Sequence, residues 1–142
     1  MYRSKCHEWI KKYNITIFFI GFWSKRTQKQ WSSKYKNLDF LGFVENLHNC
    51  LSGSISIVPI TIGSGIRMKI LEAVMMGIPF VSIEVGVDGL PFRDSEDCFI
   101  CNEAADFAHK ILMLKNDFAL QQQFVKSANE KIKTSFSPEK LK

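Results

Sequence analysis

At 142 residues the chain has the length of a single domain with a proper core. Its longest apolar run, Ile15 to Trp23, is nine residues, far below the ~20 that a membrane-spanning helix needs. Four cysteines and no secretory signal argue against a disulfide scaffold and for reduced thiols in a cytosol, and the net charge of +5 is concentrated early in the chain.

Apolar runs alternate with amphipathic ones, the mark of strands joined by crossover helices. A helix is expected at about 4–12, and Ile15 to Phe22 (ITIFFIGF) reads as a strand buried on both faces. Before the second strand, Leu38 to Phe43, come Lys25, Arg26, Lys29, Lys34 and Lys36, interleaved with Trp23, Trp31 and Tyr35. Such interleaving can bind nucleic acid or an anionic membrane surface. The plainer reading, a solvated helix and turn between two strands, is preferred. Of the two binding alternatives the membrane surface ranks first, and nucleic acid is not expected. A helix at about 45–52 leads to a third strand, Ile55 to Ile60, and a helix at 66–76 leads to a fourth, Phe80 to Ile83. Cys98 to Cys101 reads as a fifth strand at the edge, followed by helices at 103–115 and 117–134. Ala104, Phe107, Ala108, Ile111 and Leu114 form one apolar stripe, and Phe124, Ala128 and Ile132 another.

The most informative stretch is Gly63 to Val81, GSGIRMKILEAVMMGIPFV. Gly63 and Gly65 can take positive φ and let a ligand approach bare backbone. The helix that starts near Ile66 points its unpaired N–H groups into that turn, which makes an anion site. Arg67 and Lys69 place two cations in a first turn that would ordinarily favour acids, so a bound phosphate is expected there. Ile70, Leu71, Val74 and Met75 are read as one broad buried face, with Gly65, Lys69 and Glu72 on the other side. Gly77 is the C-terminal stop and Ile78-Pro79 opens the next strand. Glu72, seven residues past the glycine, is placed to hold a ribose diol; an ordinary Lys69–Glu72 i, i+3 pair on a solvated face is the alternative. Spacing alone leaves both open.

These residues resemble the nucleotide-sugar signature of the GT-B glycosyltransferases, specifically the retaining group 1 family (family 4). That signature runs through a Gly-rich turn, K-x-L-E-A, G-x-P and a V-rich strand. Here it reads Gly63-Ser64-Gly65, Lys69-Ile70-Leu71-Glu72-Ala73, Gly77-Ile78-Pro79 and Phe80-Val81. Upstream, Phe40-Leu41-Gly42-Phe43-Val44 with Asn46-Leu47 resembles the family's F-x-G-x-V…L segment. Downstream, Val85-Gly86-Val87-Asp88-Gly89-Leu90 resembles its G-x-E-G-L loop, so the likeness covers roughly residues 15 to 135. It implies an α/β fold: a Rossmann-like parallel sheet with helices on both faces, the C-terminal half of a GT-B glycosyltransferase. The whole of 1–142 is then one donor-binding domain, with 1–14 a partial N-terminal helix, 15–116 the core and 117–142 a C-terminal helix and tail.

Two family elements are not found. The family opens this half with a strand ending in a G-R…K-G loop, and nothing before Ile15 resembles it; residues 1–13 read like the helix that would follow. The expectation is a donor half trimmed by one strand, lacking its N-terminal acceptor domain. The other departure is Ser64, which stands where many members carry the glutamate of E-x7-E.

By resemblance, Glu72 accepts hydrogen bonds from the ribose hydroxyls of a nucleotide-diphosphate sugar. The amides of Ser64, Gly65 and Ile66, with Gly63 in the turn, hold the β-phosphate, and Lys69 or Arg67 adds a cation there. The backbone of Gly42, Phe43 and Val44 faces the nucleobase. No general base, metal or cofactor is implied, since backbone and basic residues counter the phosphates. The implied setting is cytoplasmic, with a peripheral contact at the inner face of the membrane as an option. Transfer is expected only with an acceptor domain or partner chain. The alternatives are a degenerate nucleotide-sugar-binding module and a membrane- or nucleic-acid-associated module that keeps only the fold. Cys98-x2-Cys101 could be half a zinc site, but Cys6 and Cys50 stand alone, and buried strand cysteines are the preferred reading. His7, His48 and His109 have no ligand spacing.

Overall fold

A computed structural model describes residues 11–59 and 66–139. The chain divides into two compact units, Met1–Cys50 and Leu51–Lys142. The expected helix at 4–12 lies outside the described residues except for 11 and 12, which are helical.

In the first unit, β1 (Ile17–Ile20) pairs in parallel with β2 (Leu38–Gly42), joined by α1 (Lys25–Lys34). Ser24 caps α1 by accepting from the Thr27 amide at 3.1 Å. Phe19 stacks on Phe40 at 4.9 Å and meets Trp23 and Trp31 edge-on at 5.2 and 5.6 Å. This aromatic cluster fastens α1 to one face of the sheet. Among the described residues Phe18 and Leu41, which point away from this cluster, are exposed, and Phe22 is fully exposed beyond the strand. The expectation that Ile15 to Phe22 is buried on both faces is therefore corrected. A continuous apolar run specifies a strand, but whether both its faces are covered depends on layers the run does not encode.

The second unit is a three-stranded parallel sheet in the order β3 (Ser56–Val58), β4 (Phe80–Ser82), β5 (Phe99–Ile100), with β5 at the edge as expected. Helix α2 (Leu47–Leu51) straddles the division between units. Between β3 and β4 runs α3 (Ile66–Met75), and β4 leads into the short α4 (Glu84–Val87). After β5 come α5 (Ala104–Asn116) and α6 (Phe118–Ser135). Strand alternation assigns side chains to two cores. Val58, Phe80 and Cys98 join Ile70 and Val74 of α3, Val87, Phe92 and Ala128 on one face. Val81, Ile83, Phe99 and Cys101 join Phe107 and Leu114 of α5 and Phe124 of α6 on the other. Helices thus cover both faces, as an all-parallel sheet requires.

Helix α3 buries Ile70, Ala73 and Val74, while Met75 is exposed, which corrects its placement on the buried face. At about 100° per residue, Met75 lies roughly 140° round from Ile70, beyond an apolar stripe centred between Ala73 and Leu71. The expected stop at Gly77 is present: φ is +71°, the Gly77 amide donates to the Val74 carbonyl at 3.0 Å, and the Ile78 amide donates to Ala73 at 2.9 Å. This pair of bonds is a Schellman closure. Asn129 of α6 adds a side-chain N–H to the same Val74 carbonyl at 3.1 Å, joining the two helices.

The carboxylate of Asp97 is buried, yet every described contact supports its charge. It accepts from the Ser127 hydroxyl and the Lys131 ammonium of α6, and from the Arg93 amide at 2.7 Å. Burial alone would raise its pKa, but the hydrogen bonds from Lys131, Ser127 and Arg93 and the charge of Lys131 outweigh that and hold it below the usual carboxylate range. A depressed folded pKa means the contribution is fully present above the unfolded value near 3.8 and is lost as pH falls through the folded one. Asp97→Ala is expected to cost about 3 kcal/mol, read as a lower urea midpoint at pH 7 with unchanged slope. The gap between the wild type and Asp97→Asn should narrow below about pH 4. A gap that is the same at pH 7 and pH 3 would show that the charge is not what stabilises.

Candidate functional site

In the second unit the carboxyl ends of adjacent parallel strands are brought together, which is where open α/β sheets place ligands. The Ile83 amide donates to Val58 at 3.3 Å and the Cys101 amide to Ser82 at 2.9 Å. Beyond them, Asn102 accepts from the Glu84 amide at 3.1 Å and donates to its carboxylate at 3.3 Å. The segment after β4 is therefore held against the segment after β5, and helix α3 begins on its other side.

Gly63, Ser64 and Gly65 lie outside the described residues, as does the side chain of Ile66, whose backbone opens α3. Arg67, Lys69 and Glu72 follow on the first two turns and all reach solvent. The first turn of α3 holds two cations and no acid, the reverse of what the helix dipole favours, and the carboxylates near those cations come from the next turn and from another segment. Lys69 Nζ lies 3.4 Å from Glu72 Oε2, so the i, i+3 pair that spacing left open is formed. It is an exposed contact and leaves Glu72 accessible from solvent. Arg67 reaches a different partner: its Nη2 lies 3.6 Å from Asp88 Oδ2, in the turn that follows α4. Its guanidinium also lies against Gly89. Asp88 and Gly89 were part of the recognised loop without an assigned role. The signal for them was an acid and a glycine closing a four-residue helix at the carboxyl end of a central strand.

The other nominated residues sit in the first unit. Gly42 ends β2 with φ +66° and its carbonyl accepts from the Gly21 amide at 2.8 Å. Phe43 is 90% exposed and Val44 half-buried. Phe22, which no motif flagged, has the same setting as Phe43: each follows a positive-φ glycine at the end of a parallel strand and points into solvent. The repeated Gly-Phe after an apolar run was the available signal. Trp23 and Trp31 both pack against Phe19, and Trp23 also against Phe40, so these aromatics take part in the packing of α1 on the sheet.

Cys98 and Cys101 are buried, one in each core of the second unit, so the alternation of the strand points them in opposite directions. Burial, then the nearby charges of Asp97 and Asp94, pushes the Cys98 thiol far above its ordinary range; burial, then Asp106 and Asp94, pushes Cys101 up to about 11. Neither is a thiolate at neutral pH.

The family model for glycosyl transferases group 1 matches residues 4–117. The chain belongs to this family. Among curated proteins none matches the sequence. Among solved structures, TarM superposes with a TM-score of 0.79 at 23% identity, over 94% of this chain and 28% of TarM. A point mutant of S. aureus TarM, in complex with fondaparinux, α-GlcNAc-glycerol and UDP, gives 0.79 at 21% identity, over 94% of this chain and 29% of that one. The C-terminal domain of LpcC, a group 1 family glycosyl transferase from Francisella tularensis, gives 0.74 at 19% identity, over 94% and 76%. At these identities the likeness is one of fold, that of GT-B glycosyltransferase C-terminal domains. The group 1 chain described here spans less than a third of the length of TarM.

An exposed i, i+3 pair contributes a few tenths of a kcal/mol. Glu72→Ala and Lys69→Ala are each expected to shift the urea midpoint by less than about 0.5 kcal/mol equivalent. A loss above about 2 kcal/mol would mean Glu72 is structural, and its substitution could not then serve as a binding probe.

Proposed function

We propose that this chain binds a nucleotide-diphosphate sugar as the donor half of a retaining glycosyltransferase acting on a glycan or lipid-linked acceptor. The observation that carries the reading is the start of α3. Two cations and no acid occupy its first turn, and the Glu72 carboxylate is accessible one turn on. A dianionic diphosphate matches the first feature and a ribose diol the second. Membership in the group 1 family supports the assignment, as does the UDP bound to the TarM point mutant.

In this reading the amides of Ser64, Gly65 and Ile66, beside Gly63, receive the β-phosphate. Arg67 and Lys69 stabilise charge as it develops on the departing diphosphate. Gly42, Phe43 and Val44 line the nucleobase side. Backbone and basic side chains counter the phosphates, so the reading calls for no metal or cofactor. Transfer requires an acceptor domain, supplied in a longer chain or by a partner, and the isolated chain binds without turning over. Calorimetric titration with UDP, GDP and ADP is expected to give saturable binding of one nucleotide, weakened at least tenfold by Glu72→Ala. No binding by the folded chain, or unchanged affinity in the variant, would sink the ribose assignment.

A peripheral membrane contact is favoured by a separate observation. Helix α1 contains Lys25, Arg26, Lys29 and Lys34 and no acid, all four exposed. Two of these bases sit at the helix N-terminus, where the macrodipole disfavours them. An external anionic surface would offset that cost, at about 1 kcal/mol per base. Among the described residues no helix is long and apolar enough to cross a membrane. Cosedimentation with vesicles containing phosphatidylserine at low salt is expected, and should fall sharply in Lys25→Glu/Lys29→Glu. Equal binding to neutral vesicles would count against a charge-driven contact and therefore against this cytoplasmic, inner-face setting.

A further inference from the structure

The start of α3 and the turn that follows α4 meet at one point, the Arg67 guanidinium. A side-chain carbon placed on Gly89 would lie 3.3 Å from Cζ, 3.3 Å from Nη1 and 3.4 Å from Nη2 of Arg67. Near-equal distances to three atoms of a planar group mean that the group lies flat over the glycine, not edge-on to it. Asp88 Oδ2 approaches one corner, Nη2, at 3.6 Å. The flat contact with Gly89 uses none of the five N–H donors and the Asp88 contact engages one edge, and the side chain is 55% exposed, so donors remain accessible to a ligand. Asp88 is itself 81% exposed, so the ion pair is weak enough to orient the guanidinium without holding it against a stronger anion.

We infer that the Asp88–Gly89 turn is a seat that orders Arg67 for a ligand's phosphate, and that Gly89 sets affinity by acting through Arg67. The inference rests on the donor-binding reading for the identity of the ligand and on the contact geometry for the seat. An arginine at the first turn of a helix has many rotamers, and a ligand that must order it loses affinity in doing so. A seat that pre-orders the side chain removes that penalty. Any L side chain at position 89 crowds the guanidinium, which must give by at least a few tenths of an ångström and loses its flat contact with the turn. Gly89 has φ +77°, so strain would accompany any substitution and must be separated from the seat effect. Asn tolerates this backbone region best, which makes Gly89→Asn the variant of choice.

The test is a double-mutant cycle on the full chain with UDP as the phosphate-bearing probe and uridine as the probe without it. Gly89→Asn is expected to weaken UDP about tenfold, the loss of one charge-assisted hydrogen bond, and to leave uridine unchanged. In an Arg67→Ala background the same substitution should change UDP affinity less than twofold, because strain would persist there but the seat has nothing to hold. A tenfold loss in that background overturns the action through Arg67. Independently of any ligand, 15N relaxation at Arg67 Nε should report a restrained side chain in the wild type and a mobile one in Gly89→Asn. A side chain equally mobile in both overturns the seat itself. Failure of the wild type to bind any nucleoside diphosphate, with Arg67 still restrained, overturns the donor reading and the phosphate as ligand, while the seat stands.

Discussion

Strand β4 has no solvent side. Phe80 faces the core built by α3 and Val81 faces the core built by α5, and the whole strand is buried. A strand in that position must find backbone partners on both edges, and it does, in β3 and β5. Its two neighbours are parallel to it, so both connections must cross over. The first runs through α3 and the second through a segment whose only helix is the short α4, and each returns the chain to the same end of the sheet. The gathering of Arg67, Asp88, Gly89 and Asn102 at the carboxyl edge is a consequence of that single burial requirement. Removing any one of the covering helices would expose apolar side chains of this strand or of its neighbours.

Polar order in the second unit follows the same economy. Charge is either kept at the rim, as with Lys69 and Glu72, or buried once and fully partnered, as with Asp97. The rim pairs are exposed and therefore weak. The buried one is tied from two elements at once and fixes where α6 lies. In the first unit the packing of α1 on the sheet is made by Phe19, Trp23, Trp31 and Phe40, and the charges of α1 are all exposed.

Much of this was legible in advance. The five strands, the helix over 66–76, the stop at Gly77 and the two apolar stripes of α5 and α6 follow from local periodicity and one glycine, and all are present. Local signals suffice there because the determinant lies within a few residues. They failed for the faces of Ile15 to Phe22, where burial depends on a layer contributed from elsewhere, and for Met75, which is apolar but lies past the edge of the buried arc. The Asp97 network was invisible for a related reason: its partners are 30 and 34 residues away, and no short pattern links an aspartate to a serine and a lysine on a later helix. Of the candidate site, the residues of α3 could be read from a motif, but the meeting of Arg67 with Asp88 and Gly89 depends on two crossovers ending side by side.

The contacts of α6 also have a bearing on how the unit is made. Synthesis runs from the N-terminus, so the three strands and α3 to α5 exist as chain before residues 118–135 do. Until then Phe99 lacks the ring of Phe124, the end of α3 lacks Asn129, and the carboxylate of Asp97 lacks both Ser127 and Lys131. A nascent unit at that stage must either keep Asp97 in water or bury it with only the Arg93 amide, so its core cannot close. Helix α6, made after the elements it ties, therefore acts as the clasp, and any pause in translation before it would prolong the life of an open, apolar intermediate.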